Sequence, residues 1–497
     1  MQSQHFDVLI IGAGLSGIGA ACRLSQECPG KRFAIIERRD RVGGTWDLFR
    51  YPGVRSDSDM FSFGFDFRPW NGLKVLADGP AIRNYIGETA AEFGVADKIH
   101  FGIELKDANW CSDDNRWTLQ GIDTATGTTR HYTCRYLISC TGYYDHHQGY
   151  LPEFPGIASF KGLCIHPQQW PEDLEYRGKK VVVIGSGATA VTLVPAMARD
   201  AAHVAMLQRS PTYVLSIPAY DKLSEFLQRF LPEKWVFKMA RWRNIKLQRW
   251  MYRVSKRWPG LMRALYLRGV RKGLGENFDM RHFTPSYMPW DQRLCAIPDK
   301  DLFLALKSGK ATVVTDQIET FTENGILLKS GQHLDADIIV TATGLNLQVL
   351  GGMQLRVDGA PVSIPEKLTY KAVLMEGVPN MAWIFGYTNA PWTLKADIAS
   401  RYVCRLLNHM DKWGYPVSVA LDREGNASTG SVMGALQSGY VARGNQVLPR
   451  QGKRYPWRIL NNYEKDAEIL LTHPIEDGIL EFYGATAGAP DAEASIA

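Results

Sequence analysis

The chain has 497 residues, 45% of them hydrophobic and 22% charged, which is enough for roughly two to four globular domains and excludes a mostly disordered protein. Its formal net charge of +6, from 57 basic and 51 acidic residues, is too small to mark a nucleic-acid binder. The eight cysteines are scattered with no CxxC spacing, which argues against a zinc ribbon and a dithiol–disulfide centre; reduced thiols and no metal site are expected.

The segment from Met1 reads as a first β-strand, since it lacks the basic and apolar regions of a signal peptide. No run approaches the roughly 18 uninterrupted apolar residues of a membrane span, so no spanning helix is expected, and the reduced thiols point to a cytoplasmic protein. Phe6 to Ile11 is rich in β-formers and is followed by G-A-G-L-S-G, which supplies Gly12, Gly14, Ser16 and Gly17, and then by helical apolar spacing. A strand, a glycine turn and a helix in that order form a dinucleotide cradle. The turn needs glycine, the backbone approaches a pyrophosphate at Gly14, and the helix packs closely at Gly17. The helix N-terminus offers free amides and a positive dipole end to the phosphates. Glu37 ends the strand F-A-I-I, where a carboxylate accepts hydrogen bonds from ribose hydroxyls. A second tight turn at Gly43 and Gly44, running into Thr45 and Trp46, suits a long extended cofactor such as FAD.

The pattern recurs at K-K-V-V-V-I followed by Gly185, Ser186, Gly187, Ala188, Thr189 and Ala190. Measured by the 25-residue spacing from Gly12 to Glu37, the equivalent of Glu37 is Ser210, preceded by Arg209. A carboxylate would repel a ribose 2′-phosphate and a guanidinium would bind it, so the second site is expected to take NADPH rather than NADH. Strands ending in Thr-Gly steps follow each motif, at Leu137 to Gly142 and Asp337 to Gly344. Two nucleotide sites without a CxxC pair leave an oxidoreductase in which NADPH reduces a flavin and molecular oxygen takes the electrons.

Between the repeats, residues 222–272 carry 15 Lys/Arg against two acids, Glu225 and Glu233, a balance of +13 that leaves −7 for the rest of the chain. Trp235, Trp242, Trp250 and Trp258 recur every seven or eight residues, which puts them on one broad helical face. The expectation is that this face docks on the protein core and the charges are solvated. The alternative is a peripheral contact of the basic face with anionic lipid. Residues from Ala485 onward are small and polar and read as a disordered tail.

Residues 160–171 contain Phe160, Gly162, His166, Trp170 and Pro171 in the spacing F-x-G-x-x-x-H-x-x-x-W-P. Together with GGTWDLFRYPGVRSDSDM, CTGYYDHHQGYLPEFPG, PWDQRLCAIPD, TATGLNLQ and GYTNAPWTLKAD, this fingerprint resembles the type I Baeyer–Villiger monooxygenases of the flavin-containing monooxygenase superfamily. Within them it is similar to the mycobacterial subgroup that activates the thioamide prodrug ethionamide. The resemblance runs from the N-terminus to about residue 470.

The resemblance implies an α/β fold with two Rossmann-like domains, for FAD and NADP, and a helical insertion. The expected division is an FAD domain at 1–145 and 336–484, an NADP domain at 146–212 and 286–335, the insertion at 213–285, and a tail at 485–497. It also implies conversion of ketones to esters or lactones through a C4a-peroxyflavin, with sulfides oxidised as well. Arg293 matches the arginine that stabilises the negative charge of the adduct, and Asp57 the carboxylate that positions it. Gly44, Thr45, Trp46, Asp47 and Leu105 are expected at the flavin, Arg55 and Ser56 near the nicotinamide, and Trp392 and Lys395 facing the flavin or substrate cavity. His166 is expected to support the coupling of the two domains rather than to transfer protons. Many relatives have Lys directly before the arginine, where this chain has Gln292, so Arg209 and Ser210 would carry more of the NADP preference. A monomer is expected. An N- or S-oxygenating flavin monooxygenase without ketone activity and a non-catalytic flavoprotein remain the competing readings.

Overall fold

The computed structural model describes residues 4–434 and 439–484, so the expected tail at 485–497 lies outside the described residues. Two sheets carry the two glycine motifs. In the first, Gln4–Ile11 lies between Phe33–Ile36 and Thr129–Ser139 and is parallel to both. Val8, Leu9 and Ile10 are all fully buried, as expected of a central parallel strand covered on both faces. Antiparallel strands Ile103–Cys111 and Arg116–Asp123 extend this sheet on one side, and the chain returns to it at Met381–Trp383, parallel to Thr129–Ser139.

The second sheet has five parallel strands in the order Ala311–Thr315, His203–Gln208, Lys180–Ile184, Ile338–Thr341 and Leu163–Ile165. This corrects one expected boundary. Ile338–Thr341, assigned to the returning part of the first unit, runs beside Lys180–Ile184 inside the second sheet. Ile338, Ile339, Val340 and Thr341 are all buried, and a sheet interior covered on both faces accommodates such a run. Each glycine motif follows a strand that has the next strand of its unit on one side and a much later one on the other, the topological switch point at which α/β sheets open a crevice. The two passages of chain between the sheets, Tyr144–Gly149 and Leu345–Leu347, pair antiparallel with each other.

The long helix Trp392–Trp413 packs on the first motif helix, Leu15–Glu27, and Arg23 Nε donates to Asp397 at 2.7 Å across the contact. The basic segment folds as helices Lys222–Leu227, Glu233–Arg257 and Pro259–Leu274. The expectation that its tryptophan face is docked is overturned: Trp235, Trp242, Trp250 and Trp258 are 62%, 66%, 58% and 53% exposed. The opposite face is the docked one. Phe237 and Ala240 pack on Phe61, and Ile245 packs on Tyr387 and Leu394. Among the described residues, no helix is long and apolar enough to cross a membrane.

Candidate active site

A cavity of about 330 Å³ opens at the first switch point, and the helix that follows the second reaches it through Ala188 and Thr189. Its floor is the first glycine turn. Gly12 has φ +99°, and a Cβ there would stand 2.8 Å from the Cys140 carbonyl oxygen. A Cβ on Gly17 would stand 1.8 Å from the Gly12 carbonyl oxygen, because the helix crosses directly over the turn. Gly14 caps that helix without a side-chain acceptor, which leaves its first amides to a ligand. Gly12, Gly14 and Ser16 all line the cavity.

Glu37 lines it too and is held by two backbone amides, with Ala13 N donating to Oε2 at 2.6 Å and Arg39 N to Oε1 at 2.9 Å. Burial pushes its carboxyl above the usual range, against the pull of those amides and of Arg38 and Arg39. Each carboxylate oxygen keeps a further lone pair, the acceptor set that a ribose diol requires. Gly44, Thr45, Trp46 and Leu105 continue the wall.

Arg55, Ser56 and Asp57 form the next stretch of the wall. Arg55 Nη1 donates to Asp301 at 2.7 Å, while its Nε and Nη2 are buried without a protein hydrogen-bond partner. Two such orphaned cationic donors beside a cavity fit a ligand that brings oxygen acceptors. The second unit closes the space with Ala188, Thr189, Arg293 and Ala296. Thr189 hydrogen-bonds Tyr51, whose hydroxyl burial pushes up to about 12. Burial first, then the Asp57 charge, push the Cys295 thiol up to about 12, which puts Asp57 near the strand that begins two residues beyond Arg293. Asp57 and Arg293 thus reach one cavity from different units. Asp291 accepts from Lys256 Nζ at 3.0 Å.

At the second motif, Gly185 has φ +142° and a Cβ there would meet the Ala342 carbonyl oxygen at 2.4 Å, the same constraint as at Gly12. Ser186 Oγ donates to the Ser210 carbonyl at 2.8 Å, tying the glycine turn to the end of strand His203–Gln208. Gly187, Arg209 and Ser210 are exposed on this edge, outside the main cavity, whereas Ala190 is packed into the core.

The sequence profile described as Flavin-binding monooxygenase-like matches residues 6–350. The chain belongs to this family. It is 63% identical over 488 residues to the putative FAD-containing monooxygenase MymA of Mycobacterium tuberculosis, covering 97% of this chain and 99% of MymA. It is 49% identical over 483 residues to the FAD-containing monooxygenase EthA of the same organism, covering 97% and 98%. Among solved structures it resembles an oxidised steroid monooxygenase bound to NADP, with a TM-score of 0.74 and 22% identity over 94% of this chain and 97% of that one.

In this flavin-binding monooxygenase-like chain the fingerprint forms a structural seam. His166 Nε2 lies 3.0 Å from the Gly344 carbonyl oxygen and its Nδ1 accepts from Gln168 N at 3.2 Å, which assigns the proton to Nε2. Burial lowers its pKa below the usual value, against the hydrogen bond to the Gly344 carbonyl. A Cβ on Gly162 would stand 2.4 Å from the Asp337 carbonyl oxygen. Phe160 packs on the core beneath the second sheet, and Trp170 packs on the opposite side near Pro171.

Two expected cavity residues are turned elsewhere. Asp47 is fully buried among Arg39, Arg50 and Arg83, with Arg39 Nη2 at 2.6 Å. A buried carboxylate needs such partners, and these arginines supply them. Lys395 is buried with Nζ 3.3 Å from the Lys371 carbonyl oxygen and 3.7 Å from Asp466, one helical step away from the cavity face. Trp392 does line the cavity. Tyr143, Thr141, Gln348 and Gly351 line it as well but were singled out by no sequence argument. Tyr143 stacks on Trp392 at 5.2 Å, and the Thr-Gly step at Thr141 was the available signal.

Proposed function

We propose that the protein is a Baeyer–Villiger monooxygenase that binds FAD in the first unit and NADPH at the second. With molecular oxygen it converts ketones to esters or lactones, and it oxidises sulfides. It acts on small molecules and as a monomer. The observation that carries this reading is the convergence of Asp57 and Arg293 on the cavity that Gly12, Gly14 and Glu37 also line.

Bound flavin, reduced by NADPH, supplies the oxygen chemistry. The chain supplies the rest. Glu37 and the amides after Gly14 hold ribose and pyrophosphate, and Arg55 presents two unfilled donors farther along the wall. Addition to a ketone carbonyl develops negative charge on oxygen. Arg293 is a permanent cation that stabilises this charge and, unlike a lysine or histidine, delivers no proton near neutral pH. Asp57 orients Arg293. A purely electrophilic N- or S-oxygenase has no carbonyl adduct to stabilise, so an arginine–carboxylate set in the cavity favours ketone chemistry.

The test is a product screen of the holoenzyme with NADPH and oxygen across linear, cyclic and aryl ketones and aryl alkyl sulfides. Esters or lactones are expected from at least one ketone class. Sulfoxides with no ester from any ketone would assign the protein to the S-oxygenating alternative.

A further inference from the structure

The helical segment presents an unusual surface. Among the described residues, 13 of the 21 large apolar side chains that are exposed fall between 220 and 265. Trp235, Met239, Trp242 and Trp250 lie within one narrow sector of helix Glu233–Arg257, since steps of three, four, seven and eight residues return to the same face. Phe226, Phe230 and Trp258 expose further rings at its two ends. The face is rigid. Beneath it, Arg241 donates to the carbonyls of Phe61, Ser62 and Gly64 at 3.0, 3.1 and 2.8 Å.

The charges are arranged in two classes. Arg243, Lys246 and Lys256 are paired with Asp221, Glu464 and Asp291. Lys234, Lys238, Arg253 and Arg257 are exposed and have no carboxylate partner among the described residues, and they border the tryptophans. A patch of aromatic side chains this dense on a folded surface marks a binding face. Tryptophan prefers the boundary between water and hydrocarbon, and unpaired Lys and Arg complement anionic headgroups.

We propose that this face of residues 220–265 docks the protein on an anionic lipid bilayer, with Trp235, Trp242 and Trp250 seated at the interface and the flanking cations on the headgroups. A second copy of the chain is the poorer occupant. A two-fold pairing through this face would oppose two segments that each carry 12 basic residues against three acidic ones, Asp221, Glu225 and Glu233. The proposal is independent of the reaction proposed above, because none of these residues lines the cavity.

The experiment is co-sedimentation of the FAD-loaded protein with vesicles of phosphatidylglycerol and phosphatidylcholine, and of phosphatidylcholine alone, at low and high salt. Binding to the anionic vesicles at low salt is expected, at least tenfold weaker at high salt or without phosphatidylglycerol, with a blue shift of tryptophan fluorescence. The triple variant Trp235→Ser, Trp242→Ser, Trp250→Ser and the charge variant Lys234→Glu, Lys238→Glu, Arg253→Glu should each lose at least tenfold in binding. Their flavin absorbance and rate of flavin reduction by NADPH should be unchanged. The proposal is overturned by no binding to anionic vesicles at low salt, by wild-type binding in the tryptophan variant, or by lipid-free self-association that this variant abolishes, which would assign the face to a second copy.

Discussion

The indole N–H of Trp392 donates to the hydroxyl of Ser16 at 2.7 Å, joining the first residue of helix Trp392–Trp413 to the N-terminal glycine motif. The two are 376 residues apart, so the floor of the cavity is completed only when the last third of the chain returns. Trp392 also stacks on Tyr143, and both rings line the cavity.

Substitution Trp392→Phe keeps an aromatic wall and removes the hydrogen bond. A buried hydrogen bond of this kind contributes about 1 kcal/mol. FAD is expected to dissociate roughly fivefold more readily, measured as flavin released on serial dilution, while the melting temperature of the FAD-saturated protein changes little. Undiminished flavin retention would show that the pair does not shape the cofactor site.

Arg209 stands exposed at the end of strand His203–Gln208, beside the Ser186–Ser210 bond. If it binds the 2′-phosphate, Arg209→Ala should raise the KM for NADPH roughly ten- to a hundredfold, the range of a lost charged hydrogen bond. The KM for NADH should not move. Equal wild-type efficiency with the two coenzymes would remove the basis for an NADP site, a test made sharper by Gln292.

His146 lines the cavity, and burial, helped by the charges of Arg38, Arg39 and His147, lowers its pKa from 6.5 to about 4. The unfolded chain therefore takes up a proton at a higher pH than the folded one. The stabilising contribution is fully present above pH 6.5 and is lost as pH falls toward 4. For the FAD-free protein, the wild type should lose on the order of 2 kcal/mol more than His146→Asn across that window, read from urea unfolding at each pH. Parallel pH profiles for the two proteins would contradict the assignment.

Both glycine motifs were legible because backbone geometry leaves few choices. A positive φ at Gly12 and Gly185, and the near contact of Gly17 with the Gly12 carbonyl, write glycine into the sequence at fixed spacing. Glu37 was legible for the same reason, as the end of the next strand. The orientation of the basic helix was not. Periodicity shows that Trp235, Trp242 and Trp250 share a face but cannot tell which face is covered, and the bulkier apolar stripe is the natural choice for the core. Here the smaller stripe of Val236, Phe237, Ala240 and Ile245 is buried. Lys395 went astray because its direction depends on a partner remote in sequence, Asp466, and Asp47 because it pairs with arginines, Arg39 above all, that no periodicity assigns to it. Tyr143 and Gln348 sit on passages between the two sheets, where the Thr-Gly steps mark the end of a strand and not which side chains turn to the cavity.

The proposed reaction requires Arg293, brought by the second unit to the cavity that Asp57 also lines, to stabilise the charge developed during oxygen transfer to a ketone. The measurement that tests it most directly compares wild type and Arg293→Ala under air, following NADPH consumption and ester formation in the same reaction. NADPH should still reduce the flavin in the variant, with consumption diverted to hydrogen peroxide, while ester formation falls by roughly a hundredfold or more. Ester formation at the wild-type rate in Arg293→Ala would contradict the account.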